Sequence, residues 1–371
     1  MGAVADADVV RTHDEAAACE RPPLLVLDPL RDFLDAHRLG SGELRVGPLG
    51  DGHSNVTYLI ERDDRQLVLR RPPRPPLQPG THDMLREARI LRAIVPAGVR
   101  APVVLATCDD QAVIGADFYV MELIDGAVVN STVPPPLDTP EERRRIAHEL
   151  VDALVELHAV DWRAVGLGRL GRPSGYLARQ VRRFGELAAR GATRSIPELE
   201  QVRAWLEASL PEQSDAALVH GDFRLGNVLF SSAPPARLAA IVDWEMATIG
   251  DPLADLGYLL ATYARPGDAW NPMLELSKAT RAPGFPDADE LRERYERRSG
   301  RSTAGLAFYE VLALWKAAIF LEVSYRRHLA GTTDDPFFAR MGEGVPLLAD
   351  EAWRRARAAD ERGTARSGLT R

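Results

Sequence analysis

Apolar positions along this chain follow two different rhythms, and the change between them comes near residue 125. Upstream, "DPLRDFLDAHRL" carries helical spacing. Three short stretches follow, "ELRVGPLG", "SNVTYLIER" and "QLVLRR", rich in β-branched and apolar residues and separated by Gly or Asp pairs, which is the pattern of a strand meander. "THDMLREARILRAIV" returns to a helical period, and "PVVLATC" and "DFYVMELI" read as two more strands. The pattern therefore predicts five strands and one internal helix in this part.

Beyond "DGAVVNSTVPPP" the period changes. "TPEERRRIAHELVDALVELHAVD" opens with Pro at a helix start and keeps apolar residues on one face for about six turns. Further helices are predicted over 174–190, 196–209, 252–264, 287–299, 303–329 and 344–358, around a loop-and-strand stretch at 218–249. The expected organisation is a small lobe over 24–124 and a larger lobe over 125–358. Small, polar ends at 1–23 and 359–371 are expected to be unstructured.

Composition narrows the function. A chain of 371 residues with 45% hydrophobic content is long enough for two lobes with a core each. Acidic residues outnumber basic ones, 54 to 46, for a net charge of −8, with no basic and aromatic cluster, so nucleic acid is not an expected partner. Two cysteines, Cys19 and Cys108, make neither a disulfide framework nor a zinc site. The N-terminal stretch lacks an apolar segment of signal-peptide type and no apolar run is long enough to span a bilayer. A cytoplasmic protein without a membrane partner is expected. The basic residues are nearly all arginine, the two lysines being Lys278 and Lys316.

Chemistry concentrates in "LVHGDFRLGNVLF", where His220, Asp222, Arg224 and Asn227 lie within eight residues between apolar ends. Asp222 and Asn227 have the D-x-x-x-x-N spacing of a kinase catalytic loop, and "IVDWE" sets Asp243 at the end of an apolar strand. Phosphoryl transfer needs a carboxylate to take the acceptor hydroxyl's proton and oxygen ligands for Mg²⁺, and these three residues supply both. The bland alternative, turn capping, is outweighed for Asp222 and Asp243. His220 reads as a brace, as do Asp251, at a helix start, and Asp255, on that helix. Arg224 is equally suited to substrate contact and to a salt bridge. In the first half, "LGDGHSNVTYLI" joins two strands through Gly50, Gly52 and Ser54, whose backbone N–H groups suit phosphate oxygens. Arg70 and Glu87 follow in the order of the strand lysine and helix glutamate that pair in kinases.

With these stretches, "VIGADFYVMELIDG", "IVDWEMATIGDPLADLGY" and "APGFPDADELRERYERRSGR", the chain resembles the aminoglycoside phosphotransferase (APH)/choline kinase-like family over about residues 44–345. It looks closest to the branch associated with acyl-CoA dehydrogenases. The resemblance implies an α+β, protein-kinase-like two-lobed fold: a small five-stranded antiparallel N-lobe with one helix and a larger, mostly helical C-lobe. It implies ATP and Mg²⁺ as cofactors, Asp222 as catalytic base, Asn227 and Asp243 as metal ligands, and "MELIDG" as the hinge, with Met121, Glu122 and Ile124 around adenine. Two positions depart from the pattern. Arg70 stands where kinases carry lysine, and Asp51 stands in a turn where the family often has glycine.

The expected activity is a small-molecule kinase acting on a hydroxyl acceptor, since neither D-F-G nor A-P-E is present. Between 301 and 330, Arg301, Lys316, Arg326 and Arg327 outnumber Glu310 and Glu322, and "VLALWKAAIFL" places Lys316 where a charge needs a reason; added to the resemblance to the acyl-CoA dehydrogenase-associated branch, this favours a hydroxyacyl-CoA or related anionic metabolite over an aminoglycoside. Snorkelling, or pairing with an acid, is the plainer account of Lys316. A pseudokinase, favoured by Arg70 and Asp51, and a metal-dependent hydrolase are the rivals from other classes.

Overall fold

A computed structural model describes residues 8–50, 55–77, 82–212, 215–331 and 335–368. The chain divides into two units, Met1–Asp125 with Val242–Glu245, and Gly126–Ile241 with Met246–Arg371.

The smaller unit is built on a five-stranded antiparallel sheet of order β3-β4-β5-β7-β6, with β3 Arg45–Pro48, β4 Val56–Arg62, β5 Arg65–Arg71, β6 Val104–Cys108 and β7 Phe118–Glu122. Its register pairs Tyr58 with Leu69 and Ile60 with Leu67, which puts all four side chains on one face because strand side chains alternate. Leu30 and Leu34, from helix α2 (Leu27–Ala36), join that face with Phe118 and Val120 in one apolar cluster. Burial of each such side chain contributes roughly 1.5–3 kcal/mol. Arg70, one residue after Leu69, leaves this layer for the opposite face, where its register partner is Tyr119. Helix α3 (Met84–Ile94), capped by Asp83, packs against β6 and β7.

The expectation of an unstructured stretch over 1–23 does not hold for 8–23. Strand β1 (Val9–Val10) pairs in parallel with β2 (Leu25–Val26), and the intervening helix α1 (His13–Ala17) carries a capping box from Thr12 and Glu15. Arg71 donates to the Leu24 carbonyl, and Arg74 reaches the Pro22 carbonyl at 2.7 Å and Asp8 at 2.5 Å, so the meander ties the stretch down. A short helix, α4 (Gln111–Ile114), completes this unit. Val242–Glu245, expected with the larger lobe, groups with the smaller unit, because its partners lie on α3 and near β4.

The larger unit is mostly helical: α5 Pro140–His158, α6 Tyr176–Gly191, α7 Pro197–Ala208, α8 Leu253–Thr262, α9 Pro272–Glu275, α10 Ala288–Ser299, α11 Leu306–Leu329, α12 Pro336–Ala339 and α13 Met341–Gly368. The expected frayed tail is corrected as well, since α13 continues to Gly368; its Ala- and Arg-rich sequence favours helix intrinsically. Helix α11 packs against α6, α7, α8, α12 and α13, which is why it is apolar nearly all round. Strands β8 (Ala127–Val128), β10 (Val228–Phe230) and β11 (Leu238–Ile241) form one small antiparallel sheet, and β9 (Ala217–Val219) pairs with β12 (Thr248–Gly250). The segment 220–227 is thus fixed at both ends by ladders. Among the described residues no helix is long and apolar enough to cross a membrane.

Candidate active site

In the smaller unit the sheet face opposite the apolar cluster carries a charged group. Arg70 Nε donates to Glu87 Oε2 at 3.2 Å and Nη2 donates to Asp243 Oδ1 at 2.5 Å. Glu87 is 1% exposed, and its Oε1 accepts from the Trp244 N–H at 3.1 Å. Tyr119 is its further hydrogen-bond partner. Burial works against the Arg70 charge, but the carboxylates of Glu87 and Asp243 outweigh it and raise its pKa. Asp243 sits at φ +67°, a left-handed conformation that Asp tolerates better than most residues and that concentrates at functional positions. The segment after it is held in turn: Asn55 Nδ2 donates to Glu245 Oε2 at 2.7 Å and Arg86 Nη1 to the Glu245 carbonyl at 3.2 Å.

Of the residues expected to form a phosphate turn, Gly50 is exposed at φ +78°, whereas Gly52 and Ser54, like Asp51, lie outside the described residues. Met121 and Glu122 end β7, and Ile124 follows in the irregular segment that leads to the unit boundary; all three are half-buried. Glu122 Oε1 accepts from the Val103 N–H at 3.1 Å.

In the larger unit the loop after β9 is held from beneath by one carboxylate. Asp255 Oδ2 accepts from the His220 N–H at 2.6 Å, and Oδ1 from the Gly221 N–H at 2.8 Å. His158 Nε2 lies 3.3 Å from the same carboxylate, and its Nδ1 meets the Tyr295 hydroxyl at 2.8 Å. Burial pushes the Asp255 carboxyl up, but His158 and the backbone N–H groups overcome it and hold it below its usual range. Asp251 is fixed by the Tyr309 hydroxyl at 2.8 Å and the Leu253 N–H at 3.1 Å. Both acids are therefore braces, and so is the fully buried His220, whose Nδ1 accepts from the Asp222 N–H at 3.3 Å. Only glycine fits at 221: φ is +87°, and an added Cβ would lie 2.7 Å from the Met246 carbonyl oxygen.

Asp222 thus leaves the loop with its side chain 26% exposed. Asn227 Nδ2 donates to its Oδ2 at 2.6 Å and to its carbonyl at 2.8 Å, which fixes the amide orientation and leaves Asn227 Oδ1 for another partner. Arg224 Nε lies 3.5 Å from Asp222 Oδ1, the salt bridge foreseen as one of its two roles. Sequence reasoning missed Tyr258, whose hydroxyl bonds to both Asp222 and Arg224. Its signal was present, because Tyr258 follows Asp255 by three positions and so shares its helix face. His158 and Tyr295 were missed too, being distant in sequence from everything they hold.

The donors fit a hard cation. An amide oxygen, as at Asn227, and a carboxylate, as at Asp243, are each donor types that would suit Mg²⁺, which takes few protein ligands beside phosphates and water. A cage of three or more His, Cys, Asp or Glu residues is absent among the described residues, and such a site does not need one.

A family model described as the phosphotransferase enzyme family, APH, matches residues 45–310. The chain belongs to that family. Acyl-CoA dehydrogenase family member 10 of Mus musculus is 34% identical over 327 residues, 87% of this chain but only 30% of the relative's own length. A crystal structure of a candidate aminoglycoside phosphotransferase from Ralstonia eutropha has a TM-score of 0.75 at 30% identity, covering 89% of this chain and 98% of that one. Aminoglycoside phosphotransferase APH(4)-Ia, solved with AMP-PNP and hygromycin B, has a TM-score of 0.58 at 15% identity over 88% of this chain and 98% of its own. The chain has the α+β protein-kinase-like fold expected from its motifs.

Proposed function

We propose that this chain transfers the γ-phosphoryl group of ATP, with Mg²⁺, to a hydroxyl of an anionic small molecule such as a hydroxyacyl-CoA. The observation that carries the reading is Asp222. It is a partly exposed carboxylate at the end of a glycine turn, held by Asn227 and Tyr258 on a loop braced by Asp255. A carboxylate so placed takes the proton of an attacking hydroxyl. Asn227 and Asp243 hold the metal, which neutralises charge on the phosphates when bound. Arg70, steadied by Glu87, contacts the α- and β-phosphates, and a nucleotide donor accords with the AMP-PNP bound to the APH(4)-Ia neighbour. Gly50, Gly52 and Ser54 give backbone N–H groups to the phosphates, and Met121, Glu122 and Ile124 surround adenine. A cytoplasmic setting agrees with two free cysteines.

The preference for an acyl-CoA-type acceptor is supported by a relative named as an acyl-CoA dehydrogenase family member, of which this chain matches 30%. An aminoglycoside is the second reading, favoured by the hygromycin B complex of a fold neighbour. A panel of hydroxyacyl-CoA esters, hydroxy acids, diols and aminoglycosides, scored for ADP release, tests both. Turnover of the anionic compounds alone is expected. Turnover of aminoglycosides alone would move the acceptor to that class, and ATP binding without turnover of any acceptor would favour a pseudokinase.

A further inference from the structure

Helix α11 carries one cation in the middle of its apolar run. Around it Val311, Leu312, Leu314, Trp315, Ala318 and Ile319 are buried, while Lys316 is half-buried. Of the two expected remedies, pairing with an acid is not what the side chain does, and at half burial its tip keeps access to solvent. Its Nζ lies 4.8 Å from the ring centroid of Phe184 on α6, and among the described residues it makes no ion pair or hydrogen bond. Lys278, the other lysine, is exposed and lies 3.5 Å from Glu275.

The charged groups near enough to act electrostatically on the Lys316 ammonium are Asp255 from α8, Arg183 from α6 and Asp222 from the loop. Neither acid is available as its partner. Asp255 is taken up by His158 and the His220 and Gly221 N–H groups, and Asp222 by Asn227, Arg224 and Tyr258. Burial brings the Lys316 pKa down to about 8, with the two carboxylates opposing that fall. An ammonium has three donors and no acceptor. Its attraction to the aromatic face of Phe184 uses no N–H donor in a directed bond, which leaves the donors to solvent or to a bound group. What would complete the arrangement is an oxyanion. A polycation would meet the same ammonium with repulsion.

We propose that Lys316 is the specificity-determining cation of the acceptor subsite, binding an oxyanionic group, carboxylate or phosphate, on the molecule whose hydroxyl Asp222 deprotonates. This rests on the reading of Asp222 as base. Phe184 gives the ammonium an apolar wall, which lowers local screening and strengthens the contact. The arginine bias of the chain sharpens the point. Lysine is a compact point charge whose pKa shifts on burial, whereas guanidinium stays charged.

With two lysines in the chain, reductive ¹³C-methylation yields two side-chain signals, and Lys278→Arg assigns them. The Lys316 signal should titrate near pH 8. Hexanoate or methyl phosphate, neither carrying a free hydroxyl, should raise that midpoint, with hexanol inert; whichever anion acts at lower concentration identifies the group. In parallel, Lys316→Met should raise the acceptor KM tenfold or more at unchanged KM for ATP, Lys316→Arg should recover part of the loss, and the wild-type acceptor KM should rise above about pH 8. A Lys316 signal unmoved by both anions, with Lys316→Met at the wild-type KM, overturns the proposal. A responsive signal in an enzyme that phosphorylates nothing would instead sink the catalytic reading and leave the anion subsite in place.

Discussion

The Arg70 guanidinium bonds Asp243 Oδ1 through Nη2 at 2.5 Å while its Nε stays on Glu87 at 3.2 Å. One planar cation therefore serves two acids at a fixed angle, which an ammonium cannot reproduce. Arg70→Ala should raise the KM for ATP, lower kcat, and destabilise the fold by about 3–5 kcal/mol, because Glu87 is left buried without its cation. Arg70→Lys should keep partial activity. Nucleotide kinetics and urea unfolding of both variants check this; an Arg70→Ala enzyme with unchanged KM for ATP would remove Arg70 from the phosphate site.

Asp222→Asn keeps shape but removes the proton acceptor, so kcat should fall by roughly 10²-fold or more with little change in nucleotide affinity. Single-turnover rates and ATP-analogue titrations separate the two effects. Near-normal turnover would assign the base elsewhere.

Asp243 adds a backbone argument to a chemical one. At φ +67° an alanine costs roughly 1–2 kcal/mol, whereas Asn tolerates the conformation. Asp243→Asn should therefore keep the backbone conformation, with Arg70 retaining Glu87 as its charged partner, while losing most of the Mg²⁺ dependence of ATP binding, which calorimetry with and without Mg²⁺ measures. Equal, metal-dependent binding in the variant would relocate the magnesium ligand.

Why was the order of Arg70, Glu87, Asp222, Asn227 and Asp243 visible in the sequence while their supports were not? Motif spacing reports local turns and strand ends, so "HGD" with Asn227 could be read directly. The His158–Tyr295 pair under Asp255 joins segments far apart in the chain, and no local period encodes that. The ordered N-terminal stretch was legible in principle, since Thr12 and Glu15 have capping-box spacing. Its small, polar composition hid it. Lys316 stood out as a charge in an apolar run, but its surroundings come from α6 and the 220–227 loop, elements that only packing brings to it.

The last prediction concerns Asp255, whose two oxygens accept from the His220 and Gly221 N–H groups and from His158. In Asp255→Asn one oxygen becomes an NH₂ facing a donor, so a buried N–H loses its partner and the catalytic loop its brace. A loss of about 2–4 kcal/mol in stability is expected, with kcat falling more than the KM for ATP because the loop carries Asp222. The pH dependence has a definite sign. The folded pKa of Asp255 lies below its ordinary value, so its stabilisation is complete above about pH 4, the unfolded range, and is lost as pH falls through the folded pKa. Unfolding free energies of parent and variant should therefore differ most above pH 4 and converge in stronger acid. A constant gap down to about pH 2 would mean that the carboxylate charge is not what braces the loop.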